Sequence, residues 1–403
     1  MLERSIEAAV AADSSSVSNS DNQNEWAARY SRQTRFSPIG LSGQSKLRDA
    51  CVFIVGSGAL GASLAQHMVR MGVGTVKLTD RDFVEPSNLQ RQMLFDEEDA
   101  RLALPKAVAA VNKLRRINSD ISIEPFVADV TESNVLQLME GADLVLDGTD
   151  NAATRLLLSD ACFQLGIPFF YGGIAGAQGM SAVLVPGETA CLRCLIGGAE
   201  QGDGAETCDT IGVISPIVEW IASMQAVEAL KWLSGNGEAL RGTWLTANLW
   251  PFRLKESAVP APVSSCSICS PSALALLRSS KLEQTSSGIS MRQPAVEDEQ
   301  GAVPGEEDYK GLVYMERPRA ITLCGRDSVQ VTLGRHIDLR DLEHALVSLG
   351  CTVTANPYLV RAHITDEERL VIFPDGRILV QGTQDPLVAV TLCRRYVVNT
   401  LDI

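Results

Sequence analysis

Three glycines with the spacing Gly-x-Gly-x-x-Gly constrain this chain most strongly; they are Gly56, Gly58 and Gly61. An apolar run at residues 51–55 precedes them, and a helical pattern at residues 62–71 follows them. Glycine lets the backbone approach a phosphate closely, and the first turn of a helix offers N–H groups with partial positive charge. A strand, a glycine turn and a helix in this order predict an α/β fold with a Rossmann-like, mostly parallel sheet.

Charged residues after the predicted strands favour a nucleoside triphosphate over a nicotinamide cofactor. Asp80 ends the second predicted strand, where a carboxylate usually binds ribose hydroxyls. Arg91 and Lys106 follow it, and two cations suit a chain of phosphates. Asp150 ends a later apolar strand and could bind Mg²⁺ together with phosphates. Each residue taken alone has a simpler interpretation, as a solvated cation or as a helix cap.

Taken together, these motifs resemble the ThiF/MoeB/HesA family of adenylyltransferases, the relatives of ubiquitin-activating enzymes. Besides the glycine turn, the matching motifs lie at residues 29–33, 80–82, 87–92, 104–106, 147–151, 191–194, 207–209 and 266–269. The resemblance implies ATP-dependent adenylation of the C-terminal glycine of a ubiquitin-like sulfur carrier that ends in Gly-Gly. MoaD-type carriers serve molybdenum cofactor biosynthesis and ThiS-type carriers serve thiamine biosynthesis, and the residues do not choose between them.

The resemblance also implies roles for individual residues. Asp80 would bind the ribose and Asp150 would bind Mg²⁺. Phosphate contacts would come from Asn88, Arg91 and Lys106. Arg32 would reach the phosphates of the neighbouring subunit, because members of the family are homodimers. A cysteine desulfurase or another persulfide donor would supply the sulfur after adenylation.

Two Cys-x-x-Cys pairs indicate a structural metal site. Cys191 and Cys194 form the first pair, and Cys266 and Cys269 form the second. Four thiolates at this spacing suit a closed tetrahedral zinc site with no open position for a substrate. Accidental pairs or disulfides are the alternative, and disulfides are rare in a reducing compartment.

Cys208 lies in a polar, glycine-bearing stretch that reads as a loop. A cysteine at this place links covalently to the carrier in the thiazole-type relatives, so the resemblance makes Cys208 a candidate nucleophile. The neighbouring acids Glu206 and Asp209 would raise its thiol pKa, which counts against strong activation. Both interpretations stay open.

Composition excludes several classes of protein. The chain has 403 residues, 45% of them hydrophobic, and a net charge of −14. A nucleic-acid partner is not expected, because it would need a basic surface. The first residues lack the basic and apolar segments of a signal peptide, and no apolar stretch is long enough to span a bilayer. We therefore expect a cytoplasmic protein without a membrane partner.

Composition also changes along the chain and predicts four segments. They are a disordered tail at residues 1–25, an adenylyltransferase domain at 26–270, a linker at 271–310, and a small α+β accessory domain at 311–403. An Asp-Gly turn at residues 375–376 predicts a β-hairpin in the last segment. Many relatives carry a rhodanese module there, but the order of predicted elements argues against a sulfur-transfer role for Cys324.

Three other functions would each explain part of the sequence. A NAD-dependent Rossmann oxidoreductase would explain the glycines and Asp80 but not Arg91, Lys106 or Asp150. Adenylation of a tRNA-linked carboxylate is a second alternative, which the acidic composition and the cysteine pairs disfavour. A non-catalytic partner subunit is the third, and such subunits tend to lose the phosphate and metal ligands that this chain keeps.

Overall fold

The computed structural model describes residues 26–197, 211–275, 319–322, 327–365 and 367–401. Two compact units divide the chain. The first contains residues up to Ala100 together with Pro105–Pro271, and the second contains Arg101–Leu104 and Ser272–Ile403. The predicted tail, most of the predicted linker, Cys208 and Cys324 lie outside the described residues.

The first unit is built on an eight-stranded sheet. Its strands are β1 Cys51–Val55, β2 Thr75–Asp80, β3 Ser122–Val127, β4 Leu144–Asp147, β5 Phe169–Ala175, β6 Gln178–Leu184, β7 Thr243–Asn248 and β8 Arg253–Ala258. Their spatial order is β3-β2-β1-β4-β5-β6-β7-β8. The first five strands in this order, β3, β2, β1, β4 and β5, pair in parallel with their neighbours. Strands β6, β7 and β8 join them in antiparallel pairs. This arrangement confirms the predicted α/β class with a mostly parallel, Rossmann-like sheet.

Helices connect and cover these strands. They span Ser31–Thr34, Gly40–Asp49, Ala59–Met71, Glu97–Arg101, Lys106–Ile117, Val135–Leu138, Ala152–Leu165, Leu192–Ile196 and Ser215–Leu233, with 3-10 turns at Pro86–Asn88 and Gly237–Ala239. The central strands β1 and β4 are almost continuously apolar because both faces of the sheet are buried there. Fully buried side chains include Phe53 on β1 and Phe169 and Phe170 on β5.

The second unit is a separate antiparallel sheet with helices. Its strands are β9 Arg319–Thr322, β10 Ser328–Thr332, β11 Thr352–Asn356, β12 Leu359–His363, β13 Arg369–Ile372 and β14 Arg377–Gln381, in the order β11-β12-β13-β14-β10-β9. Helices span Leu339–Ser348 and Pro386–Cys393, and a π-helical turn follows at Arg394–Val398. The small α+β domain and its hairpin are confirmed, with Gly376 at φ +84° in the β13–β14 turn.

One apolar core holds the second unit together. Side chains of Val331, Val360, Ile372 and other strand residues pack against Leu342 and Leu346 of the first helix. No helix among the described ranges of either unit combines the length and the apolar character needed to cross a bilayer.

Two helix-ending glycines allow a matched test of packing in the first unit. Gly72 has φ +82° and Gly166 has φ +76°, so alanine is strained at both. A Cβ atom at Gly72 would lie 2.5 Å from Cζ of Tyr30, whereas nothing lies within 4 Å of one at Gly166. We expect Gly166→Ala to cost about 1 kcal/mol of unfolding free energy through backbone strain alone.

Gly72→Ala should cost about 1–3 kcal/mol more, because the Tyr30 ring must move. Urea unfolding of both variants measures the difference. Equal losses would show that the Tyr30 ring moves away from the new methyl group at no cost in unfolding free energy.

Candidate functional site

The candidate site lies where the strand order of the first unit reverses, at the carboxyl ends of β1 and β4. Ligands of open α/β sheets bind at this position. A Cβ atom at Gly56 would lie 2.5 Å from the carbonyl oxygen of Gly148, and one at Gly61 would lie 1.7 Å from that of Gly56. The glycine turn and the loop after β4 therefore pack backbone against backbone, which only glycines permit.

Gly58 caps the helix Ala59–Met71, whose first turn points its N–H groups into the site. Asp80 ends β2 beside this turn, as predicted. One oxygen of its carboxylate accepts from the backbone N–H of Ser57 and the other from that of Asp82, both at 2.7 Å. Asp80 thus joins the glycine turn to the loop after β2.

Lys106 lies against these acids at the start of the helix Lys106–Ile117. Its side chain is nearly buried, with 4% of the residue exposed, and Nζ lies 3.2 Å from Oδ2 of Asp82. The pKa of Asp80 is raised by burial and by the charge of Asp82, and the Lys106 ammonium opposes this rise. The structure therefore brings together Lys106, Asp80 and the glycine turn.

Arg81 connects this group with Asp150. Its Nη1 atom lies 3.2 Å from Oδ2 of Asp129, which follows β3 at the same edge of the sheet. Burial lowers the pKa of Arg81, but the carboxylates of Asp82, Asp129 and Asp150 together raise it above its ordinary value. Asp150 is exposed and within electrostatic reach of Arg81. An exposed carboxylate beside a phosphate-binding turn is a suitable Mg²⁺ ligand.

The loop that carries Asp150 is fixed on both sides. Asp147 is fully buried, and its Oδ2 lies 3.1 Å from Nε of Arg155, which also donates from Nη2 to the Thr149 carbonyl at 2.6 Å. Burial raises the pKa of Asp147 while the Arg155 guanidinium lowers it. On the other side, Asn151 accepts from the N–H of Thr154 and caps the helix Ala152–Leu165.

Asn88 and Arg91 make local contacts. Asn88 is 2% exposed, and its Oδ1 accepts from the backbone N–H of Glu85 in a reciprocal capping arrangement. Nη1 of Arg91 donates to the Ser87 carbonyl at 2.9 Å. These contacts hold the segment between β2 and Lys106 in shape, so the phosphate roles of both residues stay predictions.

Arg32 lies exposed on the helix Ser31–Thr34. Its neighbour Gln33 fixes this helix, since Nε2 donates to Oε1 of Gln44 at 2.6 Å and to the Met71 carbonyl at 3.0 Å. Arg32 thus projects from an anchored segment. Its action on a second subunit stays a prediction, as does the role of Cys208.

Sequence reasoning missed two charged residues of the site, Asp129 and Arg155, and it gave no role to Arg81 and Asp82, although both belong to a matching motif. A usable signal existed for two of them, because Arg81 and Asp82 directly follow Asp80 at a strand end. Asp129 and Arg155 gave no signal of their own, since their roles come from pairing across strands and loops.

The four predicted cysteine ligands form one cluster. Sγ of Cys191 lies 3.8 Å from Sγ of both Cys194 and Cys266, and Sγ of Cys194 lies 3.8 Å from Sγ of Cys269. All four atoms lie within 4.8 Å of one another. A tetrahedral ion with Zn–S bonds of about 2.3 Å separates its sulfurs by about 3.8 Å, so the cluster fits zinc.

Surrounding groups fix the cluster in the first unit. The N–H of Leu192 donates to Oγ of Ser159 at 3.1 Å, and Arg193 pairs with Asp160. Burial raises the pKa of Cys266, but N–H bonds from Cys269 and Ile268 lower it to about 7 overall. Four sulfur ligands would leave no position for a substrate on a zinc ion, so an ion bound here would have a structural role.

A glycine turn at a helix N-terminus and a carboxylate after β2 are typical of a nucleotide-binding α/β protein, and the four cysteines of the same unit could hold a metal ion. The model of the ThiF family matches residues 30–268, and the chain belongs to this family. The resemblance inferred from the motifs is confirmed.

Named relatives agree with this assignment. The chain is 39% identical to the sulfur carrier protein ThiS adenylyltransferase of Bacillus subtilis, over 92% of this chain and 99% of that protein. It is 40% identical to the SAMP-activating enzyme E1 of Haloferax volcanii, over 54% of this chain and 79% of that one. With the adenylyltransferase and sulfurtransferase MOCS3 of Anopheles gambiae it shares 36% identity, over 61% of this chain and 56% of that protein.

Solved structures show the same fold. Escherichia coli MccB, in its structure with ATP, aligns with a TM-score of 0.53 and 22% identity, over 60% of this chain and 74% of MccB. This likeness concerns the fold of the chain alone.

The cysteine cluster generates a testable expectation. We expect the purified protein to carry one zinc ion per chain, measured by inductively coupled plasma mass spectrometry, and Cys194→Ser to lose it, because three thiolates and a hydroxyl bind zinc poorly. Cys351→Ser is the matched control, since Cys351 is a half-buried thiol of the second unit. Full zinc content in Cys194→Ser, or loss in the control, would contradict the assignment.

Proposed function

We propose that this protein adenylates the C-terminal glycine of a ubiquitin-like sulfur carrier, using ATP. One observation carries the proposal: a buried lysine, Lys106, lies beside Asp80 and Asp82 next to the glycine turn. A phosphate chain would find a cation here, and a ribose would find a carboxylate. The names of the relatives support adenylation of a sulfur carrier over the nicotinamide and tRNA alternatives.

The reaction joins two anions. A carboxylate oxygen of the carrier attacks the α-phosphorus of ATP, the bond from that phosphorus to the bridging oxygen breaks, and pyrophosphate leaves. The product is an acyl-adenylate, a mixed anhydride of the carrier and AMP. The carboxylate is already ionised at pH 7, so a general base is not required. The protein must instead offset repulsion and position the two reactants.

Different residues would bind the different parts of the nucleotide. Asp80 holds the ribose, and the helix N-terminus behind Gly58 holds the phosphates. Three side chains bind the phosphates as well: Asn88, Arg91 and Lys106. Asp150 would hold Mg²⁺, which supplies positive charge to the phosphate oxygens. Arg32 would complete the site of the partner subunit in a homodimer.

A ThiS-type carrier is the first candidate substrate. The match to the ThiS adenylyltransferase of Bacillus subtilis extends over 92% of this chain, whereas the match to MOCS3 extends over 61%. The acyl-adenylate would then react with a persulfide, from a cysteine desulfurase or a related donor, to release AMP and form an acyl disulfide. A second thiol would cleave the S–S bond of this intermediate, which gives the carrier thiocarboxylate and leaves the two donor sulfurs as a disulfide. The bound zinc would keep the fold intact and take no part in these steps.

Isotope exchange between pyrophosphate and ATP tests the proposal, with Mg²⁺ and either a ThiS-type or a MoaD-type carrier ending in Gly-Gly. We expect exchange with the ThiS-type carrier. Asp150→Ala, Arg91→Ala and Lys106→Ala should each lower it by about 100-fold or more, because each removes a group that stabilises transition-state charge.

Lys113→Ala is the matched control for the lysine. It lies on the same helix as Lys106 and pairs with Asp96 and Asp99, away from the glycine turn. Exchange should persist in this variant. Exchange that survives in Asp150→Ala and Lys106→Ala would overturn the site, and exchange with only the MoaD-type carrier would change the substrate.

A variant of Cys208 distinguishes adenylation from the later steps of the reaction. We expect Cys208→Ala to keep the full rate of exchange, because a thiol takes no part in attack on the α-phosphate. A covalent role would show as lost thiocarboxylate formation, measured by mass spectrometry of the carrier. Lost exchange in a variant of unchanged melting temperature would place the thiol in the adenylation step itself.

A further inference from the structure

We propose that the second unit supports the adenylation site through Asn356, a positioning residue that holds the stretch of chain directly before Lys106. The inference rests on the proposed function and gives the second unit a role in it. It depends on the loop Arg101–Leu104, which belongs to the second unit although the chain on both sides of it belongs to the first. The next residue, Pro105, precedes the helix that begins at Lys106.

The side-chain amide of Asn356 uses all of its hydrogen-bonding groups. Asn356 ends β11, and its Oδ1 accepts from the N–H groups of Tyr358 and Leu359 at 2.9 and 3.0 Å. Its Nδ2 donates to the carbonyl of Leu102 at 2.9 Å and to that of Ala103 at 3.2 Å. Two N–H groups require an acceptor and two carbonyls require a donor, so these contacts exclude the flipped amide. One half of the amide therefore shapes the β11–β12 turn, and the other half holds the loop.

The loop needs this support because it contains a residue in an unfavourable conformation. Ala103 has φ +48°, the one positive φ outside glycine among the residues that the structure describes. A residue with a Cβ atom is strained in this left-handed region, so other contacts must hold the loop there. Ala103 is fully buried, and its carbonyl is one of the two that Asn356 holds. Backbone strain that the surroundings maintain is concentrated at functional sites.

The conformation of the loop sets where the helix that carries Lys106 begins. Two residues, of which one is Pro105, separate Ala103 from Lys106, and the proline ring fixes a backbone angle between them. The N–H of Lys106 donates to the carbonyl of Asp82 at 2.9 Å, and its ammonium pairs with the carboxylate of the same residue. A change of conformation at Ala103 would therefore displace a buried lysine from its partner.

The rate of isotope exchange between pyrophosphate and ATP, measured with the full chain and a ThiS-type carrier, tests the inference. Asn356→Asp keeps an acceptor for the β11–β12 turn but places a carboxylate against two carbonyls. Asn356→Ala removes both halves of the amide. Asn399→Ala is the matched control, because Asn399 is an exposed asparagine of the same unit.

We expect both variants of Asn356 to lower the exchange rate about tenfold, since two lost hydrogen bonds reduce the population of the competent loop. Asn356→Asp should lower it at least as much as Asn356→Ala, although the aspartate still supports the turn. Asn399→Ala should exchange like the parent. Adding Ala103→Gly to Asn356→Ala should restore much of the rate, because glycine adopts a positive φ without strain.

Two further measurements distinguish the positioning of Lys106 from a general loss of structure. In a Lys106→Ala background, Asn356→Asp should cause no further loss of exchange, because both changes act on one group. Acetylation of lysines by a small reagent, mapped by peptide mass spectrometry, should be about tenfold faster at Lys106 in Asn356→Asp than in the parent, where this lysine is buried. Acetylation of Lys113 on the same helix should stay unchanged.

Several results would overturn the inference. Exchange at the parent rate in Asn356→Asp would show that the contact with the loop has no role in adenylation. Further loss in the Lys106→Ala background, or unchanged acetylation of Lys106, would make Asn356 a structural residue only. Failure of Ala103→Gly to restore exchange would contradict the role of the strained loop. A parent chain without exchange would overturn the proposed function, and acetylation of Lys106 would still decide whether Asn356 positions this lysine.

Discussion

The candidate site depends on one close contact between backbones. Gly56 and Gly61 meet at the end of β1, and Gly148 meets them from the end of β4. A single methyl group at Gly56 or Gly148 would collide with a carbonyl oxygen of the other segment. Because the two loops are locked together, the phosphate-binding helix and the acidic loop reach the same edge of the sheet. The hydrogen bond from Ser57 to Asp80 then adds the end of β2 to the same group.

Charge pairing makes this edge stable before any ligand binds. Lys106 is almost fully buried, and a buried ammonium without a partner would be strongly unfavourable. Asp82 provides that partner, and Arg81 is shared in the same way by Asp82 and Asp129. Cations and carboxylates are therefore held in position by each other. Such preorganisation is what lets fixed charges stabilise a transition state.

Much of the fold was predictable because its signals are local. The glycine turn, the acids at strand ends, the Cys-x-x-Cys pairs and the Asp-Gly hairpin each depend on a few neighbouring residues. The helix after the turn begins at Ala59, three residues before the predicted start, since Gly58 already caps it.

Other features were hidden because they arise from tertiary packing. Strand β5 runs through two glycines to Ala175. Gly172 and Gly173 interrupt the apolar pattern there, because the buried Gln225 side chain occupies the space that a Cβ atom at Gly172 would need. The partners of Arg81 and Arg155 come from distant strands, and no spacing in the sequence specifies them. The capping role of Asn88 also appears only in the folded chain.

The ion pair between Lys106 and Asp82 has a consequence for selectivity. An incoming anion must compete with a carboxylate that already occupies the lysine. A singly charged ligand would replace the ion pair with Asp82 by a similar ion pair, so it would gain little binding free energy. A polyanion brings further charge for the helix terminus and the neighbouring side chains, so its net gain is larger. In the proposed reaction the ion pair between Lys106 and Asp82 would therefore favour ligands with a higher total negative charge, independently of their shape.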